Sequence, residues 1–168
     1  MHLPKATLTV SMHSFPSDRI VGAISRLVYE FCRALIHDQD MAERFYMAAQ
    51  ELAENLVKYS SGPDVSLTAE LLGVEGDAVL QLRAKNHSTP EQLRAVEAQL
   101  RELARASDPI ELYDRLIRES APHPDRSGLG LARIRAEGEF DLDYVIEGNE
   151  LTICVRASIH PQAISGES

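Results

Sequence analysis

Apolar and polar residues alternate at the start of the chain and then recur at helical spacing. Residues 6–12 alternate as a half-buried strand does. Ser17 is placed to cap the helix that follows, whose apolar face extends over about five turns. A second helix is predicted from Asp40, where Glu43 would complete a capping box, through Tyr59. The chain is therefore expected to begin with a strand and two helices.

Two later stretches have the pattern of β-hairpins. Residues 65–72 and 78–84 alternate and are joined by a turn with two glycines, which can adopt positive φ. Residues 141–147 and 151–159 alternate in the same way around a turn at Gly148. Both pairs of strands are predicted to be antiparallel.

Two helices with strong start signals are predicted between the hairpins. Thr89 and Asp108 are each followed by proline and, three residues after the cap, by an amide or an acid. We therefore expect residues 86–126 to be structured. A glycine-rich turn then precedes a short helix that ends near Glu137.

The order of these elements predicts an α+β fold. The expected architecture is a two-layer sandwich, in which a mixed, mostly antiparallel sheet is covered on one face by helices. We expect one domain over residues 1–160, a helical insertion at 89–120 and a flexible tail at 161–168.

Composition narrows the function classes. The 168 residues, 44% apolar and 26% charged, are typical of one globular domain. A net charge of −9 opposes binding to nucleic acids or to anionic membranes. The chain shows no signal peptide and no membrane span, so we expect a cytoplasmic protein. Cys32 and Cys154 lack metal-ligand spacing and are predicted to be reduced core thiols.

One face of the second helix carries a candidate reactive stripe. Glu51, Asn55 and Lys58 recur at i, i+4 and i+7 beside an apolar stripe, so a carboxylate, an amide and an amine would lie at the edge of the core. Exposed helices commonly carry such residues, so a solvated helix face is the alternative interpretation.

A glycine turn before the last helix is a candidate anion site. Ser127, Gly128, Leu129 and Gly130 open this helix with free amides, and Arg126 precedes them. Such amides can hold a phosphate without a charged side chain. A plain loop-to-helix junction is the alternative.

Together these two segments resemble the histidine-kinase-like (GHKL) ATPase superfamily. Residues 51–59 are similar to its N box and residues 126–132 to its second glycine box, in the same order along the chain. The short sequence, without a dimerisation or sensor segment, resembles the anti-sigma-factor serine kinases of this superfamily more than its sensor kinases. The order of Asn86, a helical insertion, Leu112-Tyr113 and residues 127–134 resembles the SiaB-type branch in particular. The resemblance implies a Bergerat-type ATP-binding fold.

The resemblance also implies residue roles. Glu51 would be the general base that activates an acceptor hydroxyl, and Asn55 would bind Mg²⁺. Lys58 would lie near the phosphates of ATP, and the segment Arg126, Ser127, Gly128, Leu129 and Gly130 would cradle them. Positioned charge and a metal ion are what phosphoryl transfer requires.

The first glycine box departs from the family pattern. Asn86 stands where the family has the aspartate that accepts a hydrogen bond from adenine, and Ser88 and Pro90 replace glycines. The Asn86 amide oxygen can still accept this hydrogen bond, although a carboxylate accepts more strongly. The insertion replaces the usual lid, so it would either form a new wall of the pocket or fill it.

The resemblance implies an ATP- and Mg²⁺-dependent serine/threonine protein kinase of a bacterial partner-switching module. Its substrate would be a STAS-domain antagonist protein, and a second regulatory protein and a homodimer are left open. The alternatives are a degenerate, non-catalytic relative that sequesters a partner protein, and an unrelated ligand-binding protein.

Overall fold

The computed structural model describes residues 6–13, 17–74, 77–122, 129–160 and 163–164. Five strands and five helices lie within these residues. In chain order they are β1 (Ala6–Met12), α1 (Asp18–Leu35), α2 (Gln39–Tyr59), β2 (Val65–Val74), β3 (Asp77–His87), α3 (Pro90–Arg105), α4 (Pro109–Ser120), α5 (Leu129–Ala136), β4 (Asp141–Glu147) and β5 (Glu150–Ile159).

The five strands form one sheet in the order β1-β2-β3-β5-β4. All four pairings are antiparallel, so the sheet contains no parallel pair among the described strands. The predicted α+β sandwich and the predicted order of elements are confirmed. The sheet is therefore wholly antiparallel and not the mixed sheet expected, because β5 returns between β3 and β4 and pairs antiparallel with both.

The core lies between one face of the sheet and the helices. Leu67 of β2 and Leu80 and Leu82 of β3 are almost fully buried on this face. From α2, Phe45 and Leu52 pack onto them with no measurable exposure, as the apolar stripe predicts.

The opposite face of the sheet is polar. Glu70 accepts hydrogen bonds from Gln81 at 2.7 Å and from Arg83 at 3.1 Å, and Arg156 donates to Gln81 at 3.3 Å. These side chains come from three adjacent strands. The two faces therefore differ as expected for a sheet covered on one side only.

Three of the predicted helix starts are confirmed. Ser17 caps α1 through its side chain. Thr89 forms a full capping box with Gln92 at α3, and the Asp108 carboxylate accepts two backbone N–H groups at α4. These caps satisfy amides that the first turn of a helix leaves unpaired.

The predicted cap of the second helix was wrong. Asp38 caps α2, with its Oδ1 accepting from the Met41 amide at 2.9 Å. Asp40 lies inside the first turn and forms an ion pair with Arg44 at 3.0 Å. Glu43 accepts from the Gln39 side chain at 2.9 Å instead of closing a capping box. Asp38 prevails because its extended backbone leaves its carboxylate facing the free amides.

Both cysteines are buried and unpaired, as predicted. Burial raises the pKa of Cys32 to about 12, and burial is also the main cause of the raised pKa of Cys154. Thiols in such surroundings stay protonated and unreactive at neutral pH.

The described end of the chain returns to the first helix. Ile164 is buried and forms an antiparallel bridge with Ile36, and the Ala163 carbonyl accepts from the His37 amide at 2.6 Å. These two residues of the segment predicted as a tail are therefore packed, while residues 165–168 lie outside the described part. None of the described helices combines the length and the hydrophobicity that a transmembrane span requires.

Candidate functional site

A cavity of about 370 Å³ opens where α2, β3 and β5 meet the inserted helices. Its volume falls in the range of small-molecule sites. Apolar side chains such as Leu52, Leu103 and Ile153 form much of the wall. The polar side chains of the lining are Asn55, Tyr59, Asn86, Ser88, Gln92, Gln99, Glu102, Glu119 and Ser120.

The helical insertion forms one wall of this cavity. Leu100 and Leu103 anchor α3 in the core, and Gln92, Val96 and Gln99 on the same helix line the cavity. From α4, Leu116 also contributes to the lining. Of the two arrangements expected for the insertion, a new wall is therefore the one observed.

Asn86 is brought into the cavity lining and is only 5% exposed. Its Nδ2 donates to the Ser88 hydroxyl at 2.9 Å and lies 3.3 Å from the His87 carbonyl and 3.4 Å from the Tyr59 carbonyl. The Ser88 hydroxyl in turn donates to the Tyr59 carbonyl at 2.9 Å. The hydrogen bonds of the Asn86 nitrogen are therefore all made to other groups of the protein.

Asn55 also lines the cavity, opposite β3 on helix α2. Its side chain makes no hydrogen bond to the described residues, so its amide is available to a ligand. Lys58, on the same predicted stripe, is exposed and is not part of the described lining. The predicted stripe therefore does not act as one unit, because Asn55 lines the cavity and Lys58 does not.

Glu51 contacts α5 and is not part of the described cavity lining. Its Oε1 lies 3.0 Å from Nη1 of Arg133, and its side chain is only 16% exposed. A β-carbon added at Gly130 would lie 2.5 Å from Oε2 of Glu51. A side chain at position 130 would therefore have to displace the Glu51 carboxylate.

Arg133 links Glu51 to the end of α5. Its Nε donates to Glu137 at 2.6 Å while its Nη1 holds Glu51. The pKa of Arg133 is raised, mainly by its hydrogen bond to Glu137 and less by its hydrogen bond to Glu51. Desolvation by burial lowers the pKa but does not outweigh these two contacts. The pKa of Tyr113 on α4 is raised mainly by burial, with Glu137 adding to the effect. Glu51 is therefore part of a charged cluster between α2, α4 and α5.

Arg133 and Ser88 are site residues that the sequence reasoning did not assign. In the sequence, Ser88 stands out only as a replacement for a glycine of the family pattern, and nothing in the spacing pairs Arg133 with Glu51. The i, i+4 pair of Arg133 and Glu137 was readable from the sequence. The contact across 82 residues that joins Arg133 to Glu51 required the fold.

The predicted phosphate cradle is described only at its end. Arg126, Ser127 and Gly128 lie outside the described residues. Leu129 lines the cavity as the first residue of α5, and Gly130 lies against Glu51. The fold therefore brings the start of α5 to the same cavity as Asn55 and Asn86.

The charges of the described lining are acidic. No lysine or arginine occurs in it, whereas Glu102 and Glu119 do. Arg115, outside the cavity, lies 2.8 Å from Glu102 and 3.9 Å from Glu119 and so offsets both carboxylates. No cluster of three metal-binding side chains occurs among the described residues. A magnesium ion would therefore depend on Asn55 together with ligand phosphates and water, a donor set that Mg²⁺ accepts.

The residues fit adenosine triphosphate at the base and metal ends of the cavity. The apolar wall suits a flat base, Asn86 can accept a hydrogen bond, and Asn55 has no competing partner. For the phosphate end, the described residues supply only Leu129 and Gly130.

Comparison with solved structures finds a similar fold. A chain of the SiaB–SiaC complex from Pseudomonas aeruginosa matches with a TM-score of 0.57 and 14% sequence identity, over 90% of this chain and 89% of that chain. At this identity the likeness concerns the fold. Comparisons with protein-family models and with curated proteins gave no match. The resemblance to the GHKL superfamily therefore stays a prediction.

Proposed function

We propose that this protein is an ATP- and Mg²⁺-dependent serine/threonine protein kinase of a bacterial partner-switching module. The observation that carries the proposal is the meeting of Asn55 and Asn86 in one largely apolar cavity of about 370 Å³. These are the positions that the resemblance assigns to the metal and to adenine.

Each residue has a defined task in this proposal. Asn86 accepts a hydrogen bond from the base, and Asn55 binds Mg²⁺, which neutralises phosphate charge when bound. The backbone amides at the start of α5 hold the phosphates. Glu51 accepts the proton of the attacking serine or threonine hydroxyl once its contact with Arg133 is released.

The proposed substrate is a STAS-like antagonist protein. The fold match is to a chain from a complex of two proteins, SiaB and SiaC, which supports a protein partner here. The net charge of −9 disfavours nucleic acid as that partner. A second regulatory protein and a homodimer fit the same kind of module.

A second candidate function is a non-catalytic, protein-sequestering member of the same fold. The observation that favours it is the ion pair of Glu51 with Arg133, because this pair engages the carboxylate of the proposed base, which is not part of the described cavity lining. In this alternative Glu51 stabilises α5, and the partner is bound without being phosphorylated.

Nucleotide binding is the first test. The melting temperature is measured with ATP, with and without Mg²⁺. At 100 times its dissociation constant a ligand stabilises by about 2.7 kcal/mol, which corresponds to roughly 5–11 °C for a domain of this size. We expect this rise with ATP and Mg²⁺ together and a smaller one with ATP alone.

Asn55→Ala is expected to keep the fold and to remove the difference between ATP with and without Mg²⁺. Gln50→Ala is the matched control, because Gln50 is an amide of the same helix that lies outside the described lining. A melting temperature that ATP with Mg²⁺ leaves unchanged would contradict nucleotide binding. Binding without transfer of phosphate to a STAS-domain protein would favour the sequestering alternative.

A further inference from the structure

Three hydrogen-bond acceptors surround the nitrogen of Asn86. The Tyr59 and His87 carbonyls can only accept, and they lie 3.4 and 3.3 Å from Nδ2. The hydroxyl proton of Ser88 is directed to the Tyr59 carbonyl at 2.9 Å, so Ser88 also acts as an acceptor toward Asn86. If the amide were rotated by half a turn, its oxygen would face these three acceptors and would find no donor among them.

The oxygen of Asn86 is left for the cavity. It accepts no hydrogen bond from the described residues, and it is not among their fully buried polar atoms without a partner. Since Asn86 is part of the cavity lining, the protein offers this carbonyl oxygen to a ligand that donates an N–H.

We propose that Ser88 and the carbonyls of Tyr59 and His87 fix the Asn86 amide in one direction, so that the cavity selects a 6-amino purine over a 6-oxo purine. Ser88 is the positioning residue in this arrangement. The selection of the base rests on the proposed nucleotide-binding function, whereas the fixed direction of the amide does not.

This arrangement disfavours a charged aspartate at position 86. By charge alone, aspartate would be the better acceptor for adenine. A carboxylate, however, has no N–H for the Tyr59 and His87 carbonyls and would compete with Tyr59 for the single Ser88 proton. An unpaired buried carboxylate is disfavoured in its charged form. The position therefore requires a side chain that donates inward and accepts outward.

The ligand-free test compares the melting temperatures of Asn86→Asp and the natural protein between pH 4 and pH 7. We expect the variant's carboxyl to have a raised pKa in the folded state. Its loss of stability is then small at pH 4, where the protonated carboxyl donates inward, and grows as the pH rises through that pKa. We expect a deficit about 5 °C larger at pH 7 than at pH 4.

Asn149→Asp is the matched control, because it adds the same charge at an exposed turn. Its deficit should stay constant over this range. A deficit of Asn86→Asp that does not depend on pH overturns the fixed direction of the amide, whether or not a nucleotide binds.

The ligand test compares ATP with inosine triphosphate, in which a 6-oxo group replaces the 6-amino group. We expect the natural protein to prefer ATP by about tenfold or more. Ser88→Ala should weaken ATP binding by about fivefold, because it removes the shortest restraint on the amide. Ser25→Ala should not, since that hydroxyl lies outside the described lining and donates to the Val21 carbonyl at 2.7 Å.

Equal affinity for the two triphosphates overturns the proposed selection. Equal effects of the two serine substitutions overturn the positioning role of Ser88. If neither triphosphate binds, the proposed nucleotide function and the selection both fail, and the pH comparison still decides the direction of the amide.

Discussion

The two ends of the predicted site are held by different kinds of interaction. Asn86 is bound through its nitrogen by neutral hydrogen bonds, which leave its oxygen without a partner among the described residues. Glu51 is bound through its carboxylate by Arg133 of α5 and is not part of the described cavity lining. The same fold thus presents one motif residue to a ligand and engages the other internally. A residue that matches a family motif is therefore not available to a ligand for that reason alone.

The difference also concerns what must move. Asn86 lies on β3 in the centre of the sheet, where β2 and β5 pair on either side. Arg133 lies on α5, a helix of eight residues that follows the segment 123–128. In the proposed mechanism, release of Glu51 from Arg133 would therefore involve α5, whose Leu129 and Leu131 also line the cavity, and not the sheet that carries Asn86.

The largest expected effect comes from Glu51→Gln. This substitution keeps the size and removes the proton acceptor, so phosphate transfer to a STAS-domain protein should fall by roughly 100- to 10,000-fold. ATP affinity should stay unchanged, because Glu51 is outside the described lining. Initial rates and a binding titration on the same preparation separate the two. A variant that transfers phosphate at the normal rate would show that Glu51 serves only to hold α5.

A smaller effect is expected from breaking the ion pair at its other end. Arg133→Met keeps the length of the side chain and leaves the mostly buried Glu51 carboxylate unpaired. The free energy of unfolding should fall by about 1 kcal/mol, a modest value because Arg133 is 40% exposed. Arg135→Met on the same helix is the control, with a change of about 0.5 kcal/mol or less.

The double variant Arg133→Met with Glu51→Gln shows whether the effect comes from the pair. If the pair is responsible, the double variant loses less stability than the sum of the single variants. Strict additivity, measured by denaturant unfolding, would mean that Arg133 stabilises the fold through other contacts such as Glu137.

The smallest effect is expected at Lys58, which the resemblance places near the phosphates. Because Lys58 is exposed and outside the described lining, Lys58→Ala should change the free energy of ATP binding by less than about 0.5 kcal/mol. A titration at low salt is the sensitive measurement, since screening is weakest there. A loss of tenfold or more would instead place Lys58 within reach of the phosphates and extend the site beyond the described cavity.

Local patterns were sufficient for most of the fold. Alternation and helical spacing predicted the ten elements in their correct order, and the caps at Thr89 and Asp108 were visible as residue types. The cap of α2 was misplaced because Asp38 and Asp40 are both acids at the start of the same helix. Only the backbone conformation at Asp38 distinguishes them. Choices between chemically similar neighbours depend on geometry that composition does not record.

The site was only partly predictable for a related reason. The spacing of Glu51, Asn55 and Lys58 placed them on one helix face. One helix face is wide enough, however, for its side chains to contact different neighbouring elements. Glu51 meets α5 and Asn55 meets the cavity. The elements packed against α2 decide which of these three side chains can contact a ligand. Those elements come from distant parts of the chain.

The sequence by itself determined the order of elements, the apolar face of each helix and the residue types available for chemistry, because these follow from local spacing and side-chain identity. The tertiary structure alone decided the partners: the Tyr59 carbonyl with Asn86 across 27 residues, and Arg133 with Glu51 across 82. Hydrogen bonds and ion pairs act over a few ångströms in space, regardless of separation along the chain. The direction in which each polar group faces therefore becomes fixed only when the sheet and its helices have packed.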